Sequence, residues 1–128
     1  MGLQLRHPLG LAAGLDKDAT AGNALSCFGF SWLELGTVTP LAQAGNPLPR
    51  LFRLTEHEAI INRMGFNSVG LEQFIFNLRQ QKTMPCIGIN IGKNHATPVV
   101  QAINDYRLGM QAVYSLADYI TINISSPN

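Results

Sequence analysis

Two stretches decide the fold: Ile87-Gly-Ile-Asn-Ile-Gly-Lys-Asn94 and Ile120-Thr-Ile-Asn-Ile-Ser-Ser-Pro-Asn128. In both, isoleucine takes every second position and a small or polar residue fills the gaps, the period of a β-strand with one buried face. Leu9-Gly-Leu-Ala-Ala-Gly14 and Leu33-Glu-Leu-Gly-Thr-Val38 follow the same rule, giving four expected strands that each end in Gly, Thr or Ser. Helical spacing lies between them. Asp18 is a candidate cap for a helix over 19–28, and Ser68 or Asn67 for a second helix carrying Leu71, Phe74, Ile75 and Leu78. A third is expected over 98–115, with Thr97 as cap, Pro98 in the first turn and an apolar stripe of Val99, Ile103, Tyr106, Met110 and Val113.

The resulting order, β-α-β-insertion-α-β-α-β, calls for parallel strands joined by helical crossovers. Strand starts at 9, 33, 87 and 120 give steps of 24, 54 and 33 residues. A (β/α)8 (TIM) barrel averages about 31 residues per unit, so two steps fit and one carries an insertion, residues 40–66. Its Pro/Gly-rich opening and the alternating Arg50-Leu-Phe-Arg-Leu54 read as a loop with a hairpin over one barrel end. The expectation is an α/β chain whose residues 1–128 supply about the first four βα units of such a barrel, as one partial domain. Because the last strand is followed by no covering helix, the chain reads as a piece of a longer protein.

Composition narrows the function classes. The 128 residues are 46% hydrophobic but only 13% charged, with a formal net charge of +1. Soluble domains average about 25% charged residues, so most elements are expected to be covered on two sides. The near-zero charge offers no basic stripe for a phosphate backbone, and nucleic acid is not an expected partner. No apolar run reaches the roughly 18–20 residues of a spanning helix. Cys27 and Cys86 sit in apolar stretches and read as buried thiols of an intracellular protein rather than a disulfide. The three histidines lack ligand spacing, so no metal site is expected.

In a βα barrel, chemistry collects at the C-terminal ends of the strands. Those positions hold Ala13, Gly14, Leu15, Asp16 and Lys17, then Gly36 and Thr37, then Asn90 and Lys93, and last Asn123, Ser125, Ser126 and Asn128. Asn90 and Asn123 lie opposite the isoleucines and so point into the barrel mouth, where a ligand with ring carbonyls and N–H groups would satisfy them; alternatively they bond loop backbone. Lys17, taken as lying in a first helical turn, is either an ordinary solvated lysine or, since a cation there opposes the helix dipole, a hint of an anionic partner. Asn62 and Met64-Gly-Phe-Asn67 in the insertion fit substrate contact or ordinary turn chemistry. Ser126 before proline is a turn former or, in a dry pocket beside an activated C–H, a proton acceptor.

These residues resemble a known family. His7-Pro-Leu-Gly-Leu-Ala-Ala-Gly-Leu-Asp-Lys17, Glu34-Leu-Gly-Thr-Val-Thr-Pro40, Pro49-Arg-Leu-Phe-Arg53, Ile61-Asn-Arg-Met-Gly-Phe-Asn67, Gly88-Ile-Asn-Ile-Gly-Lys-Asn94 and Asn123-Ile-Ser-Ser-Pro-Asn128 are similar to motifs of the dihydroorotate dehydrogenases, in the quinone-dependent class 2. Class 1 carries Cys where Ser126 stands, and Phe66 also agrees with class 2. The resemblance covers nearly all of this chain and about the first half of the family's barrel. It implies FMN-dependent oxidation of dihydroorotate to orotate in pyrimidine synthesis, with a quinone as electron acceptor. It implies FMN contacts at Ala13, Gly14, Leu15, Asp16, Lys17, Thr37, Asn90 and Asn123. Pyrimidine contacts are implied at Lys17, Asn62, Arg63, Met64, Gly65, Phe66, Asn123 and Asn128, with Ser126 as the base. It also implies a monomer bound peripherally to the cytoplasmic side of the inner membrane through N-terminal helices that this sequence does not contain.

Two other readings compete. A flavin barrel acting on other dihydropyrimidines would use Cys as its acid or base, and Cys27 and Cys86 stand within a helix and early in a strand. The chain could instead be an inactive remnant of such an enzyme. Residues 1–128 alone are expected neither to close a barrel nor to turn over. A flavin spectrum together with dihydroorotate-dependent dye reduction by purified 1–128 refutes this.

Overall fold

The computed structural model describes residues 2–124. Strand β1 (Trp32–Val38) pairs in parallel with β4 (Cys86–Ile91), and β4 in parallel with β5 (Tyr119–Ile122), giving the sheet order β1-β4-β5. Between β1 and β4 lie a two-stranded antiparallel hairpin, β2 (Leu51–Leu54) and β3 (Ala59–Asn62), and helix α2 (Leu71–Gln80). Helix α3 (Ala102–Val113) crosses from β4 to β5, and the short α1 (Gly22–Ser26) precedes β1. The parallel α/β architecture and the hairpin insertion are both as the spacing predicts.

Alternation sorts the sheet's two faces. Leu33 and Leu35 of β1 and Ile89 and Ile91 of β4 are buried against Phe74 and Leu78 of α2 and Val113 of α3. Each such side chain removed from water contributes about 1.5–3 kcal/mol. The α2 stripe behaves as its spacing requires, with Leu71 and Ile75 packed against the same cluster.

Four expectations need correction. The first strand is not formed as a strand: only Leu11 bridges Leu33, in parallel. The Leu11 N–H donates to the Trp32 carbonyl and Glu34 N–H to Leu11, but the chain then turns, and Gly14, at φ +109°, donates to the Gly36 carbonyl instead. Second, α1 is shorter than 19–28. Its lead-in is held by the Asp16 carboxylate, which accepts from the N–H groups of Thr20 and Ala21 at 2.9 Å each, while Asp18 reaches across to the N–H of Val69.

Third, the third helix opens with a 3-10 turn at Val99–Gln101, and only part of the expected stripe faces inward. Tyr106 and Val113 pack on the core as expected, but Val99, Ile103 and Met110 are exposed, and Asp105 and Gly109 are buried instead. A hydrophobicity ranking passes over Asp and Gly. Here Gly109 allows close approach to Ile91, and the Asp105 carboxylate accepts from the N–H of Asn94 at 2.9 Å. Fourth, Cys27 is exposed at the end of α1 and Cys86 only half-buried; both are free thiols. No described helix is long and apolar enough to cross a membrane.

At Gly36 the sheet's own backbone leaves no room for a side chain. Its φ is +105°, and a Cβ there would lie 2.5 Å from the Asn90 carbonyl oxygen. Gly29 has φ +83° but open space around it. Gly36→Ala therefore suffers both backbone strain and a backbone clash and should cost more than about 3 kcal/mol, against about 1 kcal/mol for Gly29→Ala. Urea denaturation of the two variants in the full-length protein checks this; equal losses would contradict it.

Candidate functional site

The sheet face away from the helices is polar, and its groups bond to one another. The Thr37 hydroxyl donates to Asn90 Oδ1 at 2.6 Å, and Asn123 Nδ2 donates to Thr37 Oγ1 at 3.2 Å. Thr37 and Asn90 are 4% and 6% exposed, so this bonding is what makes their burial tolerable. Asn123 follows β5 and is anchored through its backbone, the N–H donating to Ile91 and the carbonyl accepting from the Tyr106 hydroxyl at 2.9 Å. Three residues expected at the strand ends thus converge, from β1, β4 and the end of β5.

The insertion reaches the same place. Its ends are tied by an antiparallel bridge between Gln43 and Ser68, which carries residues 64–66 back over the strands. Gly65 and Phe66 share a hollow of about 150 Å³ with Asn123, Lys93, Tyr106 and Gln43. The Phe66 ring lies beside Gly92, as does the Thr37 methyl group. Gln43 is the fastener: its Nε2 donates to the Phe66 carbonyl at 2.8 Å, while its Oε1 accepts from Asn94 Nδ2 and the His95 N–H, both at 2.9 Å.

The remaining expected residues divide. Lys17 is half-buried in the turn before α1, not in a helix, so the dipole argument made for it fails. Burial pushes its ammonium below the ordinary lysine value; Asp18 opposes that shift and Arg50 adds to it. Arg50 itself donates to the carbonyls of Ala44 and Asn46, so Lys17 stands near the root of the insertion. Asp16 has its carboxylate committed to the turn after it, and Leu15 is 69% exposed. Ala13 is half-buried, and a Cβ on Gly14 would project into open space.

In the hairpin, Asn62 is exposed, while the Arg63 guanidinium donates to the Pro49 carbonyl and lies 6.0 Å from the centre of the Phe52 ring. Those contacts hold the hairpin base. The Met64 carbonyl accepts from Asn46 N–H. Lys93 donates to the carbonyls of Asn94 and Thr97, which accounts for its ammonium. Ser125, Ser126 and Asn128 lie outside the described residues.

Sequence reasoning missed Gln43, Asn94 and two members of the polar face, Glu34 and Tyr119. Asn90 Nδ2 donates to Glu34 Oε1 at 2.8 Å and the Tyr119 hydroxyl to Glu34 Oε2 at 3.0 Å. The signal for Glu34 was present, a carboxylate between two core leucines. Gln43 gave none, since only the folded loop brings it to Phe66 and Asn94.

Comparison with known proteins places this arrangement. The family model described as dihydroorotate dehydrogenase matches residues 1–128. A protein of Marinobacter nauticus named dihydroorotate dehydrogenase (quinone) is 60% identical over the whole chain, which spans 38% of that relative. A Burkholderia pseudomallei protein of the same name is 56% identical, with 37% of its length spanned. The crystal structure of Eimeria tenella DHODH in complex with ferulenol superposes with a TM-score of 0.91 at 45% identity, over 99% of this chain and 36% of that one. By a match along its whole length, the chain belongs to the dihydroorotate dehydrogenase family.

Proposed function

We propose that the full-length protein carrying this chain oxidises dihydroorotate to orotate, with FMN as cofactor and a quinone as electron acceptor. On this reading the described strands form part of a TIM barrel, and the protein is a monomer peripheral to the inner membrane through segments outside this sequence. The observation that carries the reading is the convergence of Thr37, Asn90 and Asn123 on one polar face, with Phe66 beside it, in a chain of this family.

The donor set fits a flavin. Side-chain amides and a hydroxyl match the alternating carbonyl and N–H edges of a planar heterocycle, and the open space over Gly14 leaves room for a flat ring against backbone. FMN, when bound, supplies the two-electron acceptor. Ala13 to Lys17, Thr37, Asn90 and Asn123 would hold it. Lys17, Asn62 to Phe66, Asn123 and Asn128 would hold the pyrimidine, with the Lys17 ammonium facing the orotate carboxylate. Arg63 is bound to Pro49 by its side chain, so its part falls to its backbone. Ser126 would take the C5 proton; its hydroxyl is a poor base unaided and needs a water or neighbouring Thr as relay.

Two measurements test these roles. Lys17 holds an anion only while protonated, and its pKa lies below 10.5. Orotate affinity of the holoenzyme should therefore fall as pH rises through that lowered value, before an ordinary lysine would titrate. Lys17→Met should weaken orotate binding by about 10- to 100-fold and abolish the pH dependence; titrations at several pH values read both, and an unchanged pH profile in the variant would remove Lys17 from the site. Ser126→Ala should slow flavin reduction by dihydroorotate about 10²- to 10⁴-fold in stopped flow while FMN remains bound. A wild-type reduction rate would exclude Ser126 as base.

A further inference from the structure

Glu34 is a carboxylate in the middle of a strand whose neighbouring residues are core. Leu33 and Leu35 are fully buried against the helices, so Glu34 faces the polar side, half-buried. Each of its oxygens takes one donor, Oε1 from Asn90 Nδ2 and Oε2 from the Tyr119 hydroxyl. Beyond Asn90 the line continues, Thr37 donating to Asn90 Oδ1 and Asn123 Nδ2 donating to Thr37. Every donor along it points toward Glu34.

A second observation supports the arrangement. Gly88 is paired with Glu34 on one side and Tyr119 on the other. A Cβ on Gly88 would stand 2.1 Å from the Tyr119 ring. The missing side chain is what lets Tyr119 lie across β4 and reach the carboxylate two strands away. Burial and the bond to Glu34 both raise the Tyr119 pKa, so its hydroxyl stays a donor.

Polarity follows from the carboxylate. An ionised carboxylate only accepts, so Asn90 must turn its NH₂ toward Glu34 and its oxygen toward Thr37. The single Thr37 proton goes to that oxygen, and a Thr37 lone pair receives Asn123. Reversing Asn90 would set a carbonyl oxygen against a carboxylate. Asn90 keeps one further hydrogen on Nδ2 and one further lone pair on Oδ1 for another partner.

We propose that Glu34, steadied by Tyr119, is a positioning residue for the flavin: it fixes which way the amides of Asn90 and Asn123 and the hydroxyl of Thr37 present donors and acceptors to the isoalloxazine. This rests on the FMN reading of the site. Glu34 itself sits two residues nearer the start of the strands than the Gly36–Asn90 pair and acts through Asn90.

The test uses the full-length holoenzyme and two variants, Glu34→Gln and Tyr119→Phe. Glutamine keeps the size of Glu34 but presents an NH₂ as readily as an oxygen, so the line loses its fixed direction. Glu34→Gln should weaken FMN binding about tenfold and shift the flavin absorption band and two-electron reduction potential. Tyr119→Phe removes one hydroxyl at equal ring volume and should move the same three readouts in the same direction by less, about threefold in affinity; it carries the test alone if Glu34→Gln does not fold. A lower melting temperature of the apoprotein with unchanged FMN affinity, spectrum and potential would mean that Glu34 only stabilises the sheet and would overturn the proposal. Wild-type protein that binds no FMN would overturn the functional reading, and the proposal with it.

Discussion

The structure depends on a parallel sheet that is apolar on one face and polar on the other, with the polar groups bonded to one another. Period-two alternation in β1 and β4 sends Leu33, Leu35, Ile89 and Ile91 toward the helices and Glu34 and Asn90 the other way, and the register shift between Gly36 and Val38 then brings Thr37 to the polar side and Val38 into the core. Buried amides and hydroxyls without partners cost about 1–3 kcal/mol each. Here they find partners in each other across three strands, so the register that builds the core also aligns the site. A slip by one residue would turn the isoleucines and the asparagines to the wrong faces together.

The insertion solves a different problem. Its strands bury almost nothing: β2 and β3 are exposed along nearly their whole length, so apolar burial cannot hold them. Polar clamps at the base do so instead. Arg63 grips the Pro49 carbonyl, Arg50 the carbonyls of Ala44 and Asn46, and Gln43 the Phe66 carbonyl. A blade free at its tip and fixed at its root keeps Gly65 and Phe66 against the strand ends without a core of its own.

The strand alternation, the α2 stripe and the hairpin were all legible in the sequence, because each is a local pattern with one dominant period. The placement of Asn90 and Asn123 on the face opposite the isoleucines followed from the same rule. What failed were features decided by contacts distant in sequence. The first strand broke because Gly14 swings to bond Gly36. The inner face of α3 is set by Gly109 against Ile91 and by Asp105 beneath Asn94, residues that a hydrophobic count discards. Gln43 looks like any loop glutamine until the insertion folds back. The resemblance compensated where spacing could not, since nothing in periodicity ties residues 62–66 to strand ends some 25–60 positions away.

Two half-buried charges, Glu34 and Lys17, have opposite standing. Glu34 has a donor on each oxygen and sits inside a closed line of hydrogen bonds. Lys17 is half-buried, its charge disfavoured by desolvation and by Arg50, and only Asp18 favours it. A satisfied internal charge organises its neighbours and gains little from a ligand. A half-desolvated cation gains a great deal from an incoming anion, because much of the cost of removing it from water has been met before the anion arrives. The two charges therefore differ in what they offer: Glu34 fixes the orientation of the Asn90 amide, and Lys17 is disposed toward an anion.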